Sequence, residues 1–186
     1  NLTGGTEVDA FTFATAGTLT GAIGGGGDTD EIIGDDDGNA FVVNSANSGV
    51  LTGKLSGFSS IESLTGGAGD DSFMINAGLG GNHTGAGGVD TVTLAANVAV
   101  AGSITTAAGD DVITIGANST VGGSIDGGAD SDTLLLQTSG ANVALTALDA
   151  SGADAVGAGQ VTGVTGGFTD IETLNATSGG ILTGLN

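Results

Sequence analysis

The chain contains no cysteine, no proline, no tryptophan, no tyrosine and no arginine, and Lys54 is its only lysine among 186 residues. Each absence removes a class of function. Without cysteine there are no disulfides and no thiol chemistry, so a staple in an oxidising compartment has to come from elsewhere, and metal is the usual substitute. Without basic residues there is no electrostatic footprint for nucleic acid, and an anionic membrane surface repels the chain. No apolar run approaches the roughly 18 residues of a membrane span, so we expect neither nucleic acid nor membrane insertion among its partners. The N-terminus shows no signal peptide, and Asn1 reads as a mid-chain start.

What is present is acid and glycine. Seventeen Asp and four Glu against one Lys give a net charge of −20, and 39 residues are glycine. The 39% hydrophobic share is too high for a disordered chain. Its aliphatics are largely β-branched, which favours strands.

An aspartate returns in phase inside glycine-rich turns, at Asp9, Asp30, Asp71, Asp90, Asp111, Asp132 and Asp154. Three of the intervals are 21 residues, and others are 19 and 22. Apolar pairs follow most of these residues at +2 and +4: Phe11/Phe13, Phe73/Ile75, Val92/Leu94, Ile113/Ile115 and Leu134/Leu136. A period of 2 places each pair on one face of a strand. A second short strand begins about ten residues later, at Leu19/Ile23, Val100/Ile104 and Val121/Ile125. Each unit thus reads as strand, turn, strand, Asp-turn. The predicted fold is all-β, a β-solenoid with coils of 19–22 residues running as one continuous domain over 1–186. Roughly nine coils at about 4.8 Å spacing would make a rod on the order of 40 Å long.

Stretches 40–70 and 155–174 break the count and end alike, in Phe58-Ser-Ser-Ile-Glu-Ser-Leu64 and Phe168-Thr-Asp-Ile-Glu-Thr-Leu174. A longer super-repeat overlies the coils, and the chain starts and stops partway through it. We therefore expect a segment of a larger repetitive protein or filament.

Residues 66–74, Gly-Gly-Ala-Gly-Asp-Asp-Ser-Phe-Met, match G-G-x-G-x-D-x-U-x. In this they resemble the RTX (hemolysin-type) nonapeptide, the calcium-binding repeat of large secreted bacterial surface proteins. Calcium takes six to eight hard oxygens, which carboxylates and the carbonyls of a glycine-rich turn can supply. Other turns depart from the motif. Glu7, Asp28, Asp37 and Asp130 stand where the third glycine belongs, Asn39 holds a ligand slot, and Ala86 replaces a glycine. Aspartate tolerates left-handed backbone angles, so those turns are expected to survive. The resemblance implies bound Ca²⁺, an extracellular or cell-surface location, and metal ligands drawn from Asp9, Asp28, Asp30, Asp37, Asp70, Asp71, Asp90, Asp110, Asp111, Asp130, Asp132 and Asp154. The acid turn comes once per coil except for the nine-residue step from Asp30 to Asn39, so we expect the ladder to run along one edge. Carboxylates stacked about 5 Å apart repel by roughly 3 kcal/mol per pair at an effective dielectric of 20, which a row of cations would reverse.

Catalysis is not expected. His83 is the only histidine and reads as a surface or turn residue, and no Trp or Tyr is available to stack a sugar beside paired acids. The expected role is a non-enzymatic, calcium-stiffened structural module of an adhesin, S-layer, filament or other cell-surface component. The expected partners are copies of itself, end to end or laterally, or neighbouring repeats. The alternative is a ligand-binding module of an RTX-type adhesin, adhesive or ice-binding. The slots three and one residues before the aspartates hold Thr6/Val8, Gly27/Thr29, Ala68/Asp70, Gly87/Val89, Ala108/Asp110 and Ala129/Ser131, which form no threonine rank.

Overall fold

Alternating apolar residues and glycine-rich turns give strands and nothing else. The computed structural model describes residues 1–137, 143–147, 157–176 and 182–183, and among them every regular element is a β-strand. The strands form a ten-stranded sheet and a twelve-stranded sheet. The chain alternates between the two, so each passage adds a rung to both. Thr91–Leu94 pairs in parallel with Ser72–Ile75 on one side and Val112–Ile115 on the other, in the ten-stranded sheet. His83–Gly87 pairs in parallel with Ser63–Gly67 and Ile104–Ala108 in the twelve-stranded sheet. This is a β-solenoid.

The register explains the sequence period. Val92 lies beside Phe73 and Ile113, and Leu94 beside Ile75 and Ile115. Leu134 and Leu136 continue the two rows. Apart from Phe11 and Phe13, which are partly buried against the core, the apolar pairs are fully buried between the sheets with Ile32, Leu64, Ile104 and Ile125. Each buried aliphatic side chain contributes about 1.5–3 kcal/mol, but only while the rungs above and below cover it.

The two irregular stretches are meanders. Ala40–Ser45 turns back into Ser48–Leu51, which turns again into Leu55–Ser59, each antiparallel to the last. Leu55–Ser59 then lies parallel to Leu19–Gly24 and the solenoid resumes. The strands Val143–Ala147, Gly157–Val161 and Val164–Ile171 repeat this device in the other sheet. A meander uses residues without advancing the rod. The parallel stack from Ala10–Thr12 to Val164–Ile171 therefore has seven rungs among the described residues, fewer than the nine expected from a uniform period.

The solenoid has two edges. At the first edge the chain passes from the ten-stranded sheet to the twelve-stranded one, and at the second edge it returns. The acid turns 4–9 and 25–30 lie on the first edge, stacked through the Gly27 N–H donating to Gly5 O at 3.0 Å. The turns 34–39, 66–71, 85–90, 106–111 and 127–132 lie on the second. The expected one-edge ladder is thus corrected: the acid turn changes edge within one coil, and the nine-residue step from Asp30 to Asn39 is the half-coil that crosses.

Candidate metal centre

Each acid turn is built to carry its aspartate inward. Four residues before Asp30, Asp71, Asp90, Asp111 and Asp132 the backbone is left-handed, as at Gly128 (φ 105°), and it stays so where alanine takes that place, at Ala86 (φ 90°) and Ala107 (φ 81°). Two residues before Asp30, Asp90, Asp111 and Asp132 it is left-handed again. Asp28 (φ 64°) and Asp130 (φ 82°) adopt the conformation that Gly88 and Gly109 hold in their turns, so two of the four acid-for-glycine turns keep this shape, whereas Glu7 and Asp37 do not adopt it. The glycine five residues before the aspartate has another reason. A Cβ on Gly66 or Gly85 would collide with Oδ2 of Asp71 or Asp90, and on Gly127 it would sit 2.6 Å from Oδ2 of Asp132. That glycine gives the carboxylate its room.

The inner aspartates form a ladder. On the second edge the Asn39 N–H donates to Asp71 Oδ1 at 2.6 Å, Asp71 to Asp90 at 2.8 Å, Asp90 to Asp111 at 2.7 Å and Asp111 to Asp132 at 3.0 Å. The ladder ends where the Asp132 N–H donates to Glu172 Oε2 at 2.6 Å. On the first edge the Asp9 N–H donates to Asp30 at 2.8 Å, and Asp30 to Glu62 Oε2 at 2.9 Å. Both ladders therefore finish on the glutamate of the Phe-x-x-Ile-Glu motif, once on each edge. Beyond Glu62 the first edge continues with neutral rungs, where Ser103 N–H donates to Asn82 Oδ1 at 2.9 Å and Ser124 N–H to Ser103 Oγ at 3.1 Å.

Asp30, Asp71, Asp90, Asp111 and Asp132 are all at most 2% exposed, and in every one Oδ2 has no hydrogen-bond partner. Burial pushes Asp90 and Asp132 up to about 7 and raises Asp71 and Asp111 in the same direction. Asp9 is half-buried, and its Oδ2 accepts the Gly5 N–H at 2.8 Å. Asp28, Asp37, Asp70, Asp110 and Asp130 lie outside this row and are exposed. Two of them add an outer row, with Asp70 accepting the Val89 N–H at 2.7 Å and Asp110 the Ser131 N–H at 3.0 Å. Asp154 lies outside the described residues.

The sequence reading passed over Glu62, Glu172 and Asp35. The two glutamates had a signal in the repeated Ile-Glu step. Asp35 is buried, and the Lys54 ammonium beside it holds its carboxyl below the usual range. His83, expected at the surface, is instead 1% exposed, set between Leu64 and Ile104 and tilted against Phe73 at 6.2 Å. Neither of its ring nitrogens has a partner, and burial holds it down to about 4, so it is a neutral core residue.

Among the described residues no three His, Cys, Asp or Glu side chains converge on one point, because the inner acids come one per rung. The class defined by these observations is a β-solenoid with buried, half-satisfied carboxylate ladders on its edges. No family model, curated protein or solved structure matches the chain.

Proposed function

We propose that the chain is a non-enzymatic structural module of the cell exterior, a β-solenoid stiffened by calcium, serving in a surface layer, filament or adhesin. The observation that carries the reading is the row of buried aspartates whose Oδ2 atoms have no partner. A buried carboxylate oxygen without a donor is costly, by about 1–3 kcal/mol or more, and a stack of them adds mutual repulsion. A hard divalent cation removes both costs. Asp30, Asp71, Asp90, Asp111 and Asp132 would hold it, each with a single carboxylate. With one inner acid per rung, most of the six to eight oxygens calcium takes would be backbone carbonyls of the turns. Bound there, calcium supplies positive charge between neighbouring coils, and its binding energy becomes folding energy. A rod without disulfides then depends on the metal content of its surroundings, which suits a compartment rich in calcium.

Circular dichroism and thermal melting in calcium and in excess chelator test this. The expected outcome is a large loss of β-signal or of Tm in chelator, restored by calcium. A melt unchanged by chelator would overturn the reading. Light scattering then separates a filament or lattice subunit, which grows on adding calcium, from a spacer that folds and stays dispersed.

A further inference from the structure

The turn Gly34–Asn39 belongs to the crossover coil, where acid turns occupy both edges at once. The chain's only lysine lies there, as does Asn39, an asparagine in the row that otherwise holds the buried aspartates. Asn39 Nδ2 lies 2.8 Å from Asp35 O, 2.7 Å from Asp37 O, 2.9 Å from Asp71 Oδ1 and 3.5 Å from Gly66 O. Four oxygens thus surround one nitrogen, and its two protons satisfy the carbonyls of the turn. All four neighbours are acceptors, which fixes the amide orientation. The same place in the other turns holds Asp Oδ2. A Cβ on Gly34 would meet Asn39 Nδ2 at 2.6 Å, and a Cβ on Gly127 would meet Asp132 Oδ2 at 2.6 Å. What is an N–H donor at Asn39 is an unpartnered oxygen at Asp71, Asp90, Asp111 and Asp132; the atom Asn39 leaves buried without a partner is its Oδ1, an amide oxygen that carries no charge.

Asp35, the one buried acid of this turn, has partners of its own. Its carboxylate takes the Lys54 ammonium, the Ala16 N–H at 3.0 Å and the Asp37 N–H at 3.3 Å. Lys54 reaches it because the first meander turns back at Gly53 and is pinned there. The Lys54 N–H donates to Leu51 O at 3.0 Å, and the Leu19 N–H donates to Lys54 O at 2.7 Å. The coil also holds dense apolar packing, with Phe41 stacked on Phe73 at 5.0 Å and Leu51, Ile61 and Leu64 fully buried.

We propose that Asn39 and Lys54 are a built-in substitute for the cation at turn 34–39, and that the stretch from this turn through the first meander folds without metal and seeds the metal-dependent coils around it. This rests on the calcium reading, since it sorts the turns into those that need the ion and one that does not. The region from Glu31 to Gly67 is then the metal-independent part of the rod, and calcium sets how far order extends beyond it toward Thr133–Leu136.

Hydrogen exchange read by mass spectrometry, on the full chain in calcium and in chelator, decides it. In chelator the strands Glu31–Ile33, Ala40–Ser45 and Ser63–Gly67 should exchange at least about tenfold more slowly than Thr91–Leu94, Val112–Ile115 and Thr133–Leu136. In calcium all six should be protected. The double substitution Asn39→Asp, Lys54→Met should lose the protection in chelator, regain it in calcium, and raise the bound calcium per chain by about one. Uniform exchange in chelator with full protection in calcium overturns the inference and leaves the calcium reading standing. So does a double variant that behaves as the parent. Exchange that calcium changes nowhere overturns both.

Discussion

Asp90 Oδ1 accepts the backbone N–H of Asp71, one rung away, at 2.8 Å, while Asp90 Oδ2, just as deeply buried, accepts nothing. One oxygen is bound by the fold and the other is left for something the fold does not supply. That asymmetry, repeated from Asp71 to Asp132, separates this ladder from the neutral one through Asn82 and Ser103, whose side chains carry no charge to neutralise.

Asp90→Asn should therefore change sign with the solvent. The amide keeps the acceptor for Asp71 and turns a donor toward the carbonyls of its own turn, as Asn39 does. In chelator the variant should melt higher than the parent, and in calcium lower. About 1–3 kcal/mol is expected each way, some 2–4 °C per kcal/mol for a chain of this size. Paired melts measure it, and a shift of one sign in both buffers would show that no cation acts at this rung.

Gly85→Ala places a methyl against Asp90 Oδ2, with the Thr106 carbonyl of the next rung 2.9 Å away. Backbone cannot yield to it, so a loss of about 2 kcal/mol or more is expected in urea unfolding. Gly5→Ala is the control, because its Cβ meets nothing within 4 Å. Equal effects from the two would mean that the first glycine serves the turn and not the carboxylate.

Coil length and core were legible in the sequence because they are local. Val92/Leu94 and Ile113/Ile115 alternate within one strand, and a 21-residue offset superimposes them. The edge was not legible. Asp30 and Asp71 have similar neighbours in sequence, yet Glu31 pairs with Ser63 in one sheet and Ala40 with Ser72 in the other. Only that long-range pairing separates the edges. The first meander was hidden for a related reason, since Phe41/Val43 and Leu51/Leu55 carry the same apolar spacing as a coil. His83 was misjudged by type, although its place 21 residues before Ile104 sets it in a core row.

Ala107→Gly should stabilise the protein. Ala107 sits at φ 81°, a region that costs an L-residue roughly 1–2 kcal/mol and glycine almost nothing. The greater freedom of glycine in the unfolded chain returns about 0.5–1 kcal/mol of this. A net gain of up to about 1 kcal/mol is expected, in calcium and in chelator alike. A loss would mean that the Ala107 methyl contributes packing that the backbone strain conceals.

The pH dependence in chelator should have two opposed parts. Asp90 and Asp132 are raised from 3.8 to about 7, so the stability tied to their neutral forms is complete below about 4 and lost as pH rises through 7. His83 is lowered from 6.5 to about 4 and acts the other way. Above 6.5 it is neutral folded or unfolded and has no effect. As pH falls from 6.5 toward 4 only the unfolded chain takes its proton, at a cost reaching about 3 kcal/mol at pH 4. Acidification from pH 7.5 should thus first stabilise the metal-free protein and then yield diminishing returns. His83→Leu, flanked in register by Leu64 and Ile104, fits the same apolar row and removes the second part. In urea unfolding at stepped pH, two raised aspartates outweigh one lowered histidine, so the parent should still gain stability between pH 6 and 4, and the variant about twice as steeply. Parallel curves for the two proteins would mean that His83 is hydrated, and that the rung it occupies opens more readily than its neighbours.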